Sequence, residues 1–368
     1  FRRRALFLYG SVDKMMKSSI RAAMSFMIGF AVLAINSCDL FKEDMFPAYL
    51  GHEEARISLS ELRQAAGVPE TARLETIRTL EIPALNKGYV VLTFYGFFSP
   101  PYQVFLDGKS LAVLKTFTDV GNGRFLMYDA GTGILIRHFN DILVLEPESL
   151  ELLDTKTGVF GYYVSNYFDD PWFGIRKDTN SIFLIGMHSG NVSYLKVNID
   201  GSNNWTGASA SQKDIFFTYP SSDAADFYIQ DLYIAADSGV YLLLGQKESD
   251  RGYLFRWNTA EDFIGDLSEG SAPLVAPTTN NDYKPTYIQV PKGKDGSGYV
   301  CRAGYFRTYR DRTSVIERYR YDTAQASLID SFSLPSNFQG RAAFFQNGDA
   351  WVLFDEGKQT LHLMRGWW

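Results

Sequence analysis

The sequence has few of the residues that build metal centres or disulfide frameworks. Its 368 residues include four widely separated histidines and two cysteines, Cys38 and Cys301. No pair of histidines has the His-x-x-x-His spacing that places two ligands on one helix face, so we predict no metal site and no cofactor. The chain also lacks a Gly-x-Ser-x-Gly elbow, a Walker loop and a Cys-x-x-Cys pair. We therefore assign no catalytic residue.

Positive charge is scarce beyond the N-terminal segment. The whole chain has a net charge of −6, but residues 38–368 hold 30 basic and 41 acidic side chains, a balance of −11. A body this acidic repels a phosphate backbone, so nucleic acid is excluded as a partner. The length is sufficient to bury a sizeable core. Aromatic residues make up 15% of the chain, and with 31 glycines they indicate strands and turns rather than helices.

The N-terminal segment has the pattern of an export signal. Lys17 and Arg21 follow two methionines and precede an apolar stretch at 22–35, which is shorter than the ~20 residues that cross a bilayer as a helix. The stretch ends in Ile35-Asn36-Ser37-Cys38, which resembles the lipobox of bacterial lipoproteins. Asn36 stands where that motif usually has a small or hydroxylated residue, a looseness similar to that of spirochaetal lipoproteins.

This resemblance implies cleavage before Cys38, acylation of its thiol, and export to a membrane-anchored position facing the periplasm or the cell surface. Acyl chains would then make the membrane a partner, because each buried CH₂ contributes ~0.8 kcal/mol. The alternative is an uncleaved anchor helix with an unrelated cysteine. We expect residues 1–14 to take no part in the fold. Cys301 would have no disulfide partner, and its strand-like surroundings indicate a buried thiol.

Three regions follow from these signals: residues 1–37 with the signal, residues 38–73 as the lipidated cysteine and a tether, and residues 74–368 as the folded domain. Within the tether, Ser58 and Glu61 have the spacing of a capping box, and Gly67 and Pro69 supply a stop. We therefore predict a short helix of about two turns between them.

Beyond residue 74 the chain repeats one pattern at intervals of 45 to 60 residues. A strand leads into a tight Gly, Asn or Asp turn, and two more strands follow, often with a fourth. The tight turns lie at 86–88, 130–133, 178–180, 237–239, 295–298 and 347–349. The apolar second strands lie at 89–94, 134–136, 182–185, 240–244, 299–300 and 350–354. The third strands lie at 103–106, 142–145, 192–197, 253–257, 315–321 and 360–364.

Six such units resemble a β-propeller, an all-β fold whose blades are four-stranded antiparallel sheets of this size. The last unit ends after its third strand, and the strand-like run Leu74–Leu80 precedes the first. We predict that this run completes the last blade and closes the ring, which would remove an exposed sheet edge. A pair of β-sandwiches is the alternative.

The long aromatic connections all fall between second and third strands or between units. In a meander, connections at these two places lie at the same end of the sheet. Rigidly held loops often carry function, so we predict a binding face there. Its candidate residues are Phe97, Tyr102, Asp170, Trp172, Tyr283, Arg307 and Tyr309. Aromatic side chains with arginine and aspartate suit protein interfaces or flat sugar faces. In the alternative, the aromatics pack between blades and the arginines are solvated.

Together these features predict a lipid-anchored cell-envelope lipoprotein. Its propeller would be a non-catalytic binding or scaffold module for envelope macromolecules, with an envelope protein or glycan as partner. The alternative is a glycan-binding or glycan-hydrolysing envelope protein. In that case loop acids such as Asp170 and Asp282 would supply a carboxylate pair about 5–9 Å apart.

Overall fold

The computed structural model describes the compact unit Tyr49–Trp368 with gaps, and the unit Phe1–Ala48 lies outside the described residues. The described ranges are 51–96, 99–120, 125–159, 173–178, 180–188, 191–200, 205–215, 227–234, 240–246, 252–259, 262–263, 283–289, 299–307, 312–321, 326–333, 340–345 and 350–366. Within these ranges, no helix has the length and apolar character needed to cross a membrane. Cys38 and the predicted signal lie outside them.

The strands form six antiparallel sheets in chain order. Sheet I contains β2 (Arg73–Ile82), β3 (Lys87–Gly96), β4 (Ser99–Asp107) and β5 (Val113–Thr118). Sheet II contains β6 (Leu126–Asp129), β7 (Gly133–His138), β8 (Asp141–Leu145) and β9 (Leu152–Lys156). Sheet III contains β10 (Phe173–Asp178), β11 (Ser181–His188), β12 (Asn191–Ile199) and β13 (Trp205–Ile215).

The second half repeats the arrangement. In sheet IV the structure describes β14 (Phe227–Ile234), β15 (Val240–Gln246) and β16 (Gly252–Trp257). Sheet V contains β17 (Tyr283–Gln289), β18 (Tyr299–Arg307), β19 (Arg312–Tyr321) and β20 (Ala326–Ser333). Sheet VI contains β21 (Gly340–Phe344), β22 (Ala350–Asp355), β23 (Thr360–Arg365) and, as its fourth strand, β1 (His52–Ser58).

Contacts between neighbouring sheets run in a cycle. The first strands of sheets I and II, II and III, IV and V, V and VI, and VI and I contact each other, and β14 contacts β11 and β12 of sheet III. Six antiparallel sheets linked in this way form a β-propeller, as the repeat predicted. Its sheets are called blades I to VI below.

The predicted role of Leu74–Leu80 is wrong. That run lies within β2 and pairs with β3 as the first strand of blade I, where Leu74 faces Phe94 and Leu80 faces Tyr89. The strand that joins blade VI is β1, which comes from the region predicted as a tether and pairs with β23 from His52 to Ser58. N-terminal and C-terminal strands therefore lie side by side in one sheet.

The predicted short helix is α1 (Leu59–Ala66), and it connects β1 to β2. Ser58 and Glu61 form the predicted capping box, and Gly67 ends the helix with a left-handed backbone (φ +67°). Leu59, Leu62 and Ala66 are buried, so one face of the helix belongs to the core. That core lies between blades VI and I, where apolar residues of β3, β4, β22 and β23 also pack.

Two further clusters fill the spaces between blades I and II and between blades II and III. Blades I and II are thus buried on both faces. All six residues of β22 in blade VI are buried too, which explains why such second strands are apolar without alternation. The fourth strands differ. In blades I, II, III, V and VI, pairing between the third and fourth strands contains a register shift. Bulges of this kind bend an outer strand and blunt its open edge.

Candidate binding face

The strand order gives the propeller two different ends. At one end, called the tight-turn end, the first strand of each blade connects to the second, and in blades I, II, III and V the third connects to the fourth. At the other, called the loop end, the second strand connects to the third and the fourth to the next blade. In chain order, all six predicted tight turns fall between first and second strands, and the predicted long aromatic connections fall between second and third strands or between blades.

Hydrogen bonds between blades I and II show that their tight-turn ends lie together. Lys87 Nζ, at the start of β3 in blade I, donates to the carbonyl oxygen of Glu148, in the connection between β8 and β9 of blade II, at 2.6 Å. Tyr89 Oη donates to the carbonyl oxygen of Pro147 at 2.6 Å. The loop ends of these two blades are therefore on the same side as well.

The seven predicted face residues are described to different extents. Tyr102 lies on β4, at the loop end of blade I, with its side chain half-buried. Tyr283 begins β17 and Arg307 ends β18, where the backbone places both at the loop end of blade V. Phe97, Asp170, Trp172 and Tyr309 lie outside the described residues. The binding role of all seven stays a prediction.

Tyr102 belongs to a cluster at the junction of blades VI and I. It pairs across the sheet with Phe94, whose ring is fully buried, and it packs against the core beneath α1. Arg63 of α1 lies over the Phe94 ring, with its Cζ 5.9 Å from the ring centroid. Its Nη2 donates to the carbonyl oxygen of Ala72 at 2.7 Å. Tyr102 is thus partly a packing residue, as the alternative interpretation expected of individual aromatics.

Sequence reasoning missed Arg63. The sequence placed this helix in a tether, whereas the pairing of β1 with β23 puts it between the last blade and the first, at the loop end. Leu59 and Leu62 mark the buried stripe of α1, and Arg63 follows one turn after Leu59 on the edge of that stripe.

A second aromatic feature that the sequence did not reveal lies at the loop end of blade II. Phe139 is the first residue of the two-residue connection between β7 and β8, and its side chain is 55% exposed. Its backbone is left-handed, with φ +50°. Arg137, on the preceding strand, donates from Nε to the Phe139 carbonyl oxygen at 2.8 Å. Arg137 is only 6% exposed, and burial lowers the pKa of its guanidinium to about 10, so it stays charged at neutral pH.

Exposed large apolar side chains separate by type between the two ends. Among the described residues, those at the loop end are aromatic, namely Tyr95 near the end of β3 and Phe139 just after β7. At the tight-turn end of blades I and II they are leucines: Leu85, Leu114, Leu152 and Leu153. Leu114 and Leu152 are adjacent in sequence to Lys115 and Glu151, and a salt bridge of 2.9 Å between Lys115 Nζ and Glu151 Oε1 joins the two blades.

Titratable groups in the described ranges form no cluster of three or more histidine, cysteine, aspartate or glutamate side chains suited to a metal ion. A buried pair lies instead at the junction of the terminal strands. His362 of β23 is 1% exposed, and its Nδ1 lies 2.9 Å from Oε2 of Glu53 on β1. Burial lowers the pKa of His362, and Glu53 opposes that shift. This pair joins β1 to β23 and is part of the fold.

Comparison with known proteins adds fold-level likeness only. No family profile and no curated protein matches the chain. Among solved structures, the β-propeller domain of Cps50 (Swd1) from Myceliophteria thermophila is 9% identical with a TM-score of 0.41, covering 79% of this chain and 98% of that one. A protein from Lactobacillus plantarum is 14% identical with a TM-score of 0.39, covering 69% and 70%. BamB from Moraxella catarrhalis is 10% identical with a TM-score of 0.33, covering 76% and 79%. Because these sequence identities and TM-scores are so low, the β-propeller fold is assigned from the strand topology of this chain alone.

Proposed function

We propose that this chain is a lipid-anchored cell-envelope lipoprotein whose propeller binds envelope macromolecules without catalysis. The anchor rests on the lipobox-like residues that end in Cys38. The binding role rests on the loop end of the propeller. A membrane, through acyl chains on Cys38, and an envelope protein or glycan, through the loop end, are its partners in this proposal.

The observation that carries the binding role is the difference between the two ends of blades I and II. At the tight-turn end, carboxylates in the connections accept hydrogen bonds from the backbone of the same turn. For example, Asp107 Oδ1 accepts hydrogen bonds from the backbone nitrogens of Lys109 and Ser110. The long connections at the loop end run between blades, as residues 157–172 do between β9 and β10, and the described apolar side chains exposed at this end are the aromatic Tyr95 and Phe139. Exposed aromatic residues on a rigid scaffold are typical of recognition surfaces.

The anchor is tested with the two cysteines as a matched pair. Cells that produce the full chain are fed an alkyne-labelled fatty acid, and the purified protein is examined for label. We expect Cys38→Ser to abolish labelling and membrane retention, and Cys301→Ser to leave both unchanged. Labelling that survives Cys38→Ser would contradict the anchor.

The binding end is tested by photo-crosslinking in intact source cells. A benzophenone amino acid is placed at Tyr95 or Thr118, both exposed at the loop end, or at Leu114, exposed at the tight-turn end. We expect specific adducts from the first two positions and none from the third. Adducts from Leu114 alone, or from no position, would contradict binding through the loop end.

A further inference from the structure

The pairing of the terminal strands fixes where the chain enters the propeller. β1 is antiparallel to β23, and its first residue, His52, lies opposite Arg365. Arg365 in turn lies opposite Ala350, the first residue of β22, so His52 is at the tight-turn end of blade VI. The segment that precedes β1 therefore joins the propeller at this end, and β1 runs from there to the loop end.

The tight-turn ends of blades VI, I and II lie on one side of the propeller. Phe345 closes the connection between β21 and β22, since its nitrogen donates to the Ala350 carbonyl oxygen at 2.9 Å. A Cβ added to Gly88, near the start of β3, would lie 2.8 Å from the Phe345 ring, so this connection touches blade I. The hydrogen bonds of Lys87 and Tyr89 extend the same side to blade II.

The exposed leucines of blades I and II lie on this side too. Leu152 and Leu153 begin β9, where successive side chains point to opposite faces, yet both are more than half exposed. Leu85 lies in the connection between β2 and β3, and Leu114 lies on β5. The separation between β2 and β5 is three strand spacings, or ~14 Å. The four leucines are therefore spread across two blades and are not gathered around one point.

We propose that the tight-turn end of blades I and II docks on the lipid bilayer, with these four leucines in contact with lipid. This inference rests on the proposed function, because it assumes anchoring through Cys38. Only fourteen steps along the chain separate Cys38 from His52, roughly 50 Å at full extension. To turn the loop end toward the bilayer, that segment would have to run back along β1, over ~23 Å for its seven residues. The tight-turn end faces the bilayer without this detour.

A bilayer suits this end better than a protein pocket. A pocket receives side chains that lie close together, whereas a bilayer receives any apolar side chains that protrude at one end of a molecule. The charges next to two of the leucines are paired, since Lys115 bonds Glu151 at 2.9 Å. The balance of −11 over residues 38–368 provides no attraction to anionic lipid, so the contact is apolar. Lipid that covers Leu114 would also keep envelope proteins and glycans away from it, in line with the absence of macromolecular adducts expected there.

The test uses the full lipidated chain in phosphatidylcholine vesicles, with or without a nitroxide label on the acyl chains of the lipid. An environment-sensitive fluorescent amino acid is encoded at Leu114 or Leu153. Tyr95 and Thr118, exposed at the loop end, are the control positions. We expect a blue shift of emission and quenching by nitroxide at both leucine positions, and neither change at the controls. Flotation of the vesicles reports anchoring separately, and all four chains should float.

A second measurement tests the leucines themselves. The chain with the fluorophore at Leu153 also receives Leu85→Gln, Leu114→Gln and Leu152→Gln together, and a matched chain receives Tyr95→Gln instead. We expect the triple replacement to lose most of the quenching while the chain still floats, and Tyr95→Gln to keep it. Because the contact is apolar, high salt should leave quenching of the otherwise unaltered chain unchanged.

Four results would overturn the inference. Chains that float with quenching at the loop-end positions, or with no quenching at any position, would show that the anchored propeller is not docked in this way. A blue shift at the leucines without nitroxide quenching would show that protein, such as a second copy of this chain, covers them. Full quenching after the triple replacement would show that the leucines contribute nothing. Chains that fail to float would overturn the proposed anchor as well, whereas chains that float unquenched leave the anchor intact.

Discussion

The contact between Glu53 and His362 predicts how firmly the N-terminal strand is held in blade VI. His362 is almost completely buried, and its Nδ1 lies 2.9 Å from the Glu53 carboxylate. Glu53→Ala leaves that buried nitrogen without this hydrogen bond, and a buried polar group that loses its partner costs about 1–3 kcal/mol. The cost falls on the pairing between β1 and β23, so β1 should open more readily than the rest of the propeller.

Hydrogen exchange measures this opening directly. If β1 opens locally, a cost of about 1–3 kcal/mol raises exchange of its amides about 5- to 150-fold. Amides of β3, far from this junction, should change less. Urea denaturation of the same variant reports whether the loss also reaches global stability.

Glu54→Ala is the matched control. Glu54 is adjacent in sequence and pairs with Arg365 Nε, but about a third of each side chain is exposed. Exposed ion pairs contribute roughly 0–1 kcal/mol, so this variant should exchange nearly as slowly as the unaltered chain. Equal exchange rates for Glu53→Ala and Glu54→Ala, or no change in either, would refute the reasoning.

Two further predictions concern pH and packing. Burial lowers the pKa of His362 in the folded chain, so as pH falls the imidazole is protonated in the unfolded chain before it is protonated in the folded one. The stability that this group contributes is therefore fully present above about pH 6.5 and is lost as pH falls toward the folded pKa. His362→Gln should flatten that part of a plot of urea midpoint against pH, and an unchanged plot would contradict the assignment. Gly108→Ala would place a Cβ 2.6 Å from the Gly88 carbonyl oxygen, and we expect a loss of about 1–3 kcal/mol by urea denaturation. Gly67→Ala is the control, because Gly67 has a φ of +67° but an added Cβ there would meet nothing within 4 Å. A loss of stability at Gly67 equal to or larger than that at Gly108 would argue against the clash.

The second and third strands could be predicted from sequence in all six blades, and the described side chains of these strands are mostly buried. A strand such as Ala350–Asp355, with six buried residues in succession, leaves a continuous apolar run after a tight turn. The fourth strands face solvent on one edge and give a weaker signal. β1 reads His-Glu-Glu-Ala-Arg-Ile-Ser and alternates between exposed and half-buried positions, so its charged residues resembled a tether.

A local repeat could have sharpened the prediction. After the third strands of blades I and II, the sequences Asp107–Leu111 and Glu146–Leu150 form the same turn, an acidic residue followed three and four positions later by serine and leucine. Both carboxylates accept backbone hydrogen bonds, and both leucines have φ +59°. Comparing these five-residue segments would have marked the connection between third and fourth strands in two blades.

The candidate face was harder to predict, because sequence shows which connections are long but not which side chains they present. Tyr102 was selected for its place in an aromatic connection, yet cross-strand pairing with Phe94 buries half of it. Phe139 was overlooked because its connection has only two residues. The conformation of Phe139 involves a positive φ and a hydrogen bond from Arg137, and the composition of a loop shows neither.

β1 also protects the C-terminal strand, and this leads to a last prediction. β23 pairs with β22 without any register shift, and Leu361, Leu363 and Met364 are fully buried. Without β1, this regular apolar strand would present an open edge, which is the kind that pairs with other chains. A chain that begins at Leu59 should therefore self-associate in size-exclusion chromatography with light scattering, whereas a chain that begins at His52 should not. A monodisperse, fully stable chain from Leu59 would show that blade VI holds together with three strands, and that the junction of the termini is not what protects β23.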